Sequence, residues 1–434
     1  MNNNIFKAGA ARADITPPVG TMMFGYRPNH ASTSINDPLE VTALALSEGD
    51  VTVIMLTATV CEFQTALAEE LRTAVGGLLG IPASRVILSA THTHSGPNTA
   101  GAEGWGEIDR SYVKDILLPG ILDAAKRAAE TMVPAEFAVG ETESRVGVNR
   151  RQQQREGWID FGQNPWGCYD PTMTCISIRA QEDKHGILNL IHYGCHGTAA
   201  GLNREISRDW PGAMVDQMTE YTGTLTAFWN GAEGDVGPRM LNGGTSGRGD
   251  VKKAEQLGSV AATDAFRAWR TRGSYSTGGL RVFEDVVTIP YKQLPDLAQV
   301  QEKLASYENP EALINLDRLM YCYWKSVEEA LLFGDVVPTA FTFQQTLVAF
   351  GEIIFIPFPF EMFSEITLRL RAYSPYRYTL GLSNTNGSNF YLPTEDQLVR
   401  GGYEVGCFLY GNRYSMVDNA DQHIIDENLR IMGQ

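Results

Sequence analysis

The chain has no CxxC pair and only six cysteines, at Cys61, Cys168, Cys175, Cys195, Cys322 and Cys407. Scattered in this way, they mark neither a disulfide framework nor a thiolate metal site, and they read as free thiols. Basic residues are scarce as well: 35 Lys and Arg stand against 51 Asp and Glu, a formal charge of −16. Nucleic-acid backbones and anionic membranes are held by basic surface, so neither is an expected partner, and a small-molecule substrate is. No apolar run exceeds strand length, and the opening MNNNIFKAGA lacks the basic start and apolar stretch of a secretion signal. The expectation is a cytoplasmic protein without stable membrane association, and a homo-oligomer is compatible with it.

What is present is an ordinary globular composition: 434 residues, 43% of them hydrophobic, enough for a large core. Val41–Ser47 and Val51–Val60 are β-branched runs around Glu48-Gly49-Asp50, which predicts a hairpin opening the fold. Phe63–Leu79 has helical spacing, and Arg85–Ala90 reads as a strand running into Thr91-His92-Thr93-His94. Further helices are predicted over Tyr112–Thr131, Val251–Arg272 and Asp296–Leu332. Strands are predicted over Thr172–Arg179, Ile187–Tyr193, Leu225–Trp229, Arg281–Ile289, Phe341–Phe350 and Ile353–Pro357. Alternating strands and helices favour an α/β class. No linker divides residues 1–434, so one domain is expected. The glycine-rich stretch from Asn242 to Gly249 reads as a loop, with the length of a lid.

Residues two apart on a strand share a face, so His92 and His94 can enter one pocket. An HxH pair alone more often belongs to a core or surface. A second histidine at a strand end, His196 in Tyr193-Gly194-Cys195-His196-Gly197-Thr198, shifts the balance, because the chain has only seven histidines. Glu361, after Pro359, reads equally as a helix-start carboxylate, and Tyr391 as a half-buried tyrosine.

In order along the chain stand Ala13-Asp14-Ile15-Thr16-Pro17-Pro18, Met22-Met23-Phe24-Gly25-Tyr26, Ala90-Thr91-His92-Thr93-His94-Ser95-Gly96-Pro97 and Val148-Asn149-Arg150. They are followed by His196-Gly197-Thr198, Ser207-Arg208-Asp209-Trp210-Pro211-Gly212, Asn230-Gly231-Ala232-Glu233-Gly234-Asp235-Val236-Gly237-Pro238, Pro359-Phe360-Glu361, Tyr391-Leu392-Pro393-Thr394 and Gly402-Tyr403-Glu404. This series resembles the neutral (non-lysosomal) ceramidase family. The resemblance implies a mixed-sheet α/β catalytic domain with a zinc site at strand ends, without the family's C-terminal immunoglobulin-like domain. It implies one Zn²⁺ per chain held by His92, His196, Glu361 and Tyr391, with His94, Arg150 and Tyr403 on the substrate side. Such a donor set suits a catalytic zinc that keeps room for water.

Gly237 stands where the family's Gly-Asp-X-Ser-Pro loop carries a serine. With the absent appended domain and secretion signal, this points away from ceramide itself. The activity so implied is zinc-dependent hydrolysis of a carboxamide in a small polar substrate by zinc-activated water, with His94 moving protons and Arg150 and Tyr403 holding a substrate oxygen. Asp14 and Asp209 are candidates to orient the ligand imidazoles or, alternatively, to cap turns. Ester, lactone or glycoside hydrolysis on the same scaffold, or ligand binding without turnover, are the alternatives.

Overall fold

The computed structural model describes residues 4–240, 249–334 and 336–433. The predicted segment Asn242–Gly249 therefore lies, except for Gly249, outside the described residues. The chain opens not with the hairpin but with the strand Lys7–Asp14, which pairs antiparallel with Glu40–Glu48 from Lys7↔Ser47 to Asp14↔Glu40. Its sequence, KAGAARAD, is poor in β-branched residues and hides the strand from propensity. The small side chains serve packing instead: a Cβ on Gly9 would lie 2.3 Å from the carbonyl of Ala128 on the covering helix. The predicted hairpin follows as Glu40–Glu48 and Val51–Ala58, turned at Gly49, whose φ of 59° is left-handed.

These strands belong to an eight-stranded mixed sheet, in the order Thr226–Asn230, Gly186–Tyr193, Thr172–Ala180, Val133–Glu143, Lys7–Asp14, Glu40–Glu48, Val51–Ala58 and Val86–Ala90. Side chains alternate between two buried faces. Ala43 and Ala45 face the helices Thr65–Leu79 and Leu118–Glu130, whereas Leu44 and Leu46 face a second sheet. That sheet consists of Arg281–Pro290, Ala340–Phe350, Ile353–Pro357 and Tyr378–Leu382, and Phe350, Phe355 and Leu382 fill the space between the two. Its other face is covered by Ser364–Tyr373 and Ala420–Met432. The layers are thus helix, sheet, sheet, helix, with apolar side chains buried at each junction.

The long sheet curls until its two ends meet. Thr57 Oγ1 donates to Phe228 O at 2.7 Å, and Asn230 Nδ2 donates to Thr91 O at 3.3 Å. Loops leaving strands at opposite ends of the sheet order therefore share one place.

Two predicted helices differ from expectation. Asp296–Leu332 is broken into Leu297–Ala305 and Asn315–Phe333, with a 3-10 turn at Pro310–Ala312 between them, because Pro310 cannot donate within a continuing helix. Tyr112–Thr131 contains a π-turn at Val113–Leu117 just before Pro119, the register adjustment expected beside a residue without an N–H. Among the described residues, no helix is long and apolar enough to cross a membrane.

Candidate metal centre

The strand Val86–Ala90 delivers Thr91 and His92, and His92 takes a left-handed φ of 66°. A non-glycine residue adopts this only when its surroundings fix it. Its N–H donates to Val60 O at 3.0 Å, and its Nδ1 lies 2.9 Å from Cys61 O. His196 arrives from the strand Gly186–Tyr193, and a parallel bridge between Thr93 and Gly197 joins the two histidine loops. Gly197 permits this approach, since a Cβ there would stand 2.8 Å from His92 O. Glu361 begins the strand Glu361–Met362, paired in parallel with Tyr391–Leu392 so that Glu361 is opposite Tyr391. The four residues read as ligands are thereby gathered from four separate stretches of chain.

His196 Nε2 lies 2.9 Å and His92 Nε2 3.4 Å from the same Glu361 oxygen, Oε2. The far side of each ring decides its tautomer. His92 Nδ1 faces the Cys61 carbonyl, and His196 Nδ1 faces the carbonyls of Glu233 and Val236 at 2.9 and 3.0 Å. Carbonyl oxygens only accept, so each Nδ1 carries the proton and each Nε2 turns a lone pair inward. His196 Nε2 and Glu361 Oε2 are both buried without a hydrogen bond. Three lone-pair atoms pointed at one another in a dry site repel unless a cation lies between them. The residues present therefore fit a metal ion.

Burial pushes Glu361 upward, but the His92 and His196 imidazoles more than offset this and hold it well below the usual carboxylate range. Burial, with Arg150 adding to it, pushes His196 down to about 4, so this ring is neutral at neutral pH. His92 is shifted the opposite way: burial would lower its pKa, but Cys61 and Glu361 outweigh it and hold the ring well above the ordinary histidine value.

Tyr391 stacks on His196, the ring centroids 6.5 Å apart and the planes 5° from parallel. Its hydroxyl accepts from Arg150 at 3.0 Å. The Arg150 Nε donates to Glu404 Oε1 at 2.8 Å, and Arg151 donates to Glu404 Oε2 at 2.7 Å, so one buried carboxylate holds two guanidinium groups. Burial alone would lower the pKa of Arg150, yet Tyr391 and Glu404 outweigh it and the net direction is upward. Tyr403 packs its ring against Tyr391 and Phe161. His94 is the more open imidazole, with Nε2 3.2 Å from His92 Nε2, its ring edge-on to Tyr26 and its Nδ1 without a partner. Burial, and then His92 and His196, hold its pKa well below the ordinary histidine value.

Asp14 is not part of this site. It is exposed and accepts from Thr16 N at 2.7 Å, which makes it a turn cap. Asp209 is buried but accepts from the amides of Ala199 and Ala200 at 2.9 and 2.7 Å, so it shapes the loop after His196 and not the imidazole. Gly237 lies opposite Val148 in a short strand pairing, next to the Val236 carbonyl that faces His196. Two supporting residues, Cys61 and Asn384, lie outside the motifs, and a third, Glu233, lies within one without a role read for it. Cys61 and Glu233 act through main-chain oxygens. Asn384 places its amide nitrogen 3.1 Å from His92 Nδ1 and 2.6 Å from Glu233 Oε1.

In overall architecture the chain is similar to a neutral ceramidase from Pseudomonas aeruginosa. The TM-score is 0.74 at 16% identity, over 99% of this chain and 75% of the other. A ceramidase solved in complex with C2 gives 0.72 at 16% identity, over 98% and 74%. At this identity the likeness is one of fold. No curated protein sequence matches the chain. Residues 6–303 match the model described as neutral/alkaline non-lysosomal ceramidase, N-terminal, and with the fold in agreement the chain belongs to that family.

Proposed function

We propose that the protein is a zinc-dependent hydrolase that cleaves the carboxamide bond of a small, polar substrate. The observation that carries this reading is the convergence of His92 Nε2, His196 Nε2 and Glu361 Oε2, with both Nδ1 atoms committed to carbonyls. His92, His196 and Glu361 would hold the ion, with the Tyr391 hydroxyl as a fourth oxygen donor; nitrogen and oxygen donors of this kind suit zinc. When bound, zinc supplies Lewis acidity toward a carbonyl oxygen or a water.

The rest of the task falls to the chain. Arg150 is fixed by Glu404 and Tyr391, so its charge can hold a substrate oxygen without reorganising. Tyr403 is positioned beside it to add a hydroxyl contact. His94, whose Nε2 lies 3.2 Å from His92 Nε2, is placed to carry a proton to or from the reacting groups. The buried ring of aromatic and charged groups excludes bulk water. No hydroxyl nucleophile is needed from position 237. The family name supports an amide as the bond cleaved, whereas the charged and hydrogen-bonding groups around the centre favour a polar substrate over a long acyl chain.

The test combines metal analysis of the purified protein with a hydrolysis panel of small amides, esters, glycosides and a long-chain ceramide. About one zinc per chain, activity lost with dipicolinate or in His92→Ala, and preference for a small amide are expected. Full activity in metal-free protein would refute the mechanism, and preferential cleavage of ceramide would refute the substrate class.

A further inference from the structure

Beyond the Arg150–Glu404–Arg151 bridge lies a cleft of about 650 Å³ that the proposed hydrolysis does not use. Its volume is in the range that encloses a small ligand. The strands Gly147–Gln153 and Ile159–Asn164 form one side, and the turn at 165–168 and the segment 394–400 form the rim.

On that rim stands Trp166, 94% exposed. An indole left in water forgoes roughly 2–3 kcal/mol of burial that an aromatic of this size gains elsewhere. It is nevertheless presented by a well-tied turn. Asn164 Oδ1 accepts from Trp166 N at 3.2 Å, Asn164 O accepts from Gly167 N at 3.1 Å, and Asn149 Nδ2 donates to Cys168 O at 2.7 Å. Gly167 packs so closely that a Cβ would meet Asn149 at 2.4 Å. The turn thus holds Trp166 at the rim of the cleft.

Around it the lining is rich in residues with side-chain amides: Gln152, Gln153, Gln163 and Asn164, of which Gln153 and Gln163 share the strand face of Arg151. Arg151 is spent on Gln397, Gly401 and Glu404, which leaves it no free fork for an anion, and the second guanidinium of the lining, Arg400, stands at the exposed rim. Glu365 and Asp396 on the lining oppose an anionic ligand further. A flat apolar face opposed to amides matches a ring with C–H bonds on one face and hydroxyls around its edge. A side-chain amide carries both N–H donors and an acceptor oxygen, so it can pair with a hydroxyl in either sense.

We propose that this cleft is a saccharide-binding site, with Trp166 as the stacking platform and Gln153, on the same strand face as Arg151, bonding the hydroxyls. This stands independently of the metal reading. The test is saturation-transfer NMR and calorimetry on the full chain with glucose, galactose, N-acetylglucosamine and their β-1,4-linked disaccharides, each up to about 10 mM, the weak end of specific binding. At least one sugar should bind, Trp166→Ala should weaken it tenfold or more, and Trp166→Tyr should restore most of the affinity. Protein stripped with dipicolinate should bind equally well, which separates this site from the metal centre. Trp166 is exposed, so its variants should fold, as circular dichroism will show. Absence of binding by every sugar, or binding that survives Trp166→Ala, would overturn the proposal.

Discussion

Glu404→Ala tests the support of the centre most directly. The carboxylate is 2% exposed and accepts from Arg150 at 2.8 Å through one oxygen and from Arg151 at 2.7 Å through the other. Both guanidinium groups are themselves buried. Removing one partner of a buried pair costs about 3–5 kcal/mol, because the remaining charge keeps its desolvation cost and loses its compensation. Here two charges lose their partner, so the upper end applies. With an unfolding entropy of about 2.1 cal/mol/K per residue, a chain of this length loses roughly 0.9 kcal/mol of stability per degree near its midpoint. The melting temperature should therefore fall by about 5 °C. Differential scanning calorimetry reads this directly. Glu404→Gln separates charge from packing: it keeps the volume but turns an N–H₂ toward a guanidinium, so it should melt close to Glu404→Ala. A Glu404→Ala protein melting within about 1 °C of wild type, or a Gln variant that fully restores stability, would refute the charge argument.

Asn384→Gly removes the amide that donates to Glu233, whose carbonyl faces His196 Nδ1, while suiting the left-handed backbone at that position, and zinc affinity by chelator competition should fall about 10–100-fold; an unchanged affinity would show that the Glu233 carbonyl keeps its place without this contact. Gly237→Ser should change turnover by less than about tenfold, or about 1.4 kcal/mol of barrier, and a much larger gain would mean that a hydroxyl is missing from the chemistry. Burial raises Asp209 from the ordinary 3.8 to about 6, so between these values the folded state holds a proton that the unfolded state has lost. Stability from this group is therefore present below pH 4 and lost as the pH rises through about 6. The melting temperature of wild type minus that of Asp209→Asn should fall from pH 4 to 6 and level off above it; a rising difference would contradict the sign.

The elements visible in the sequence were those whose own residues dictate them. Val51–Val60 and Arg85–Ala90 are β-branched and bounded by turn residues, and both exist as strands with small shifts at their ends. The histidine loops were legible because glycine and small residues surround them at strand ends. The strand Lys7–Asp14 was not, since its small residues answer to a helix packed on it, a contact no local pattern reveals. The break at Pro310 was a local signal outvoted by the apolar spacing on both sides of it. Cys61, Glu233 and Asn384 escaped for a deeper reason: two act through carbonyls, which every residue has, and the third lies 292 positions from the histidine it adjoins. Glu404 stood in a motif read for its tyrosine.

The left-handed backbone at His92, Asp209, Asn384 and Phe390 bears on engineering. Each non-glycine residue in this conformation costs roughly 1–2 kcal/mol, less for the asparagine and the aspartate. Glycine would relieve the backbone cost at each position, but at His92, Asp209 and Asn384 it would also delete a buried side chain, leaving a cavity and partners unpaired. Any other residue inherits the strained backbone, so these positions admit few replacements. A library built on this scaffold should leave them fixed.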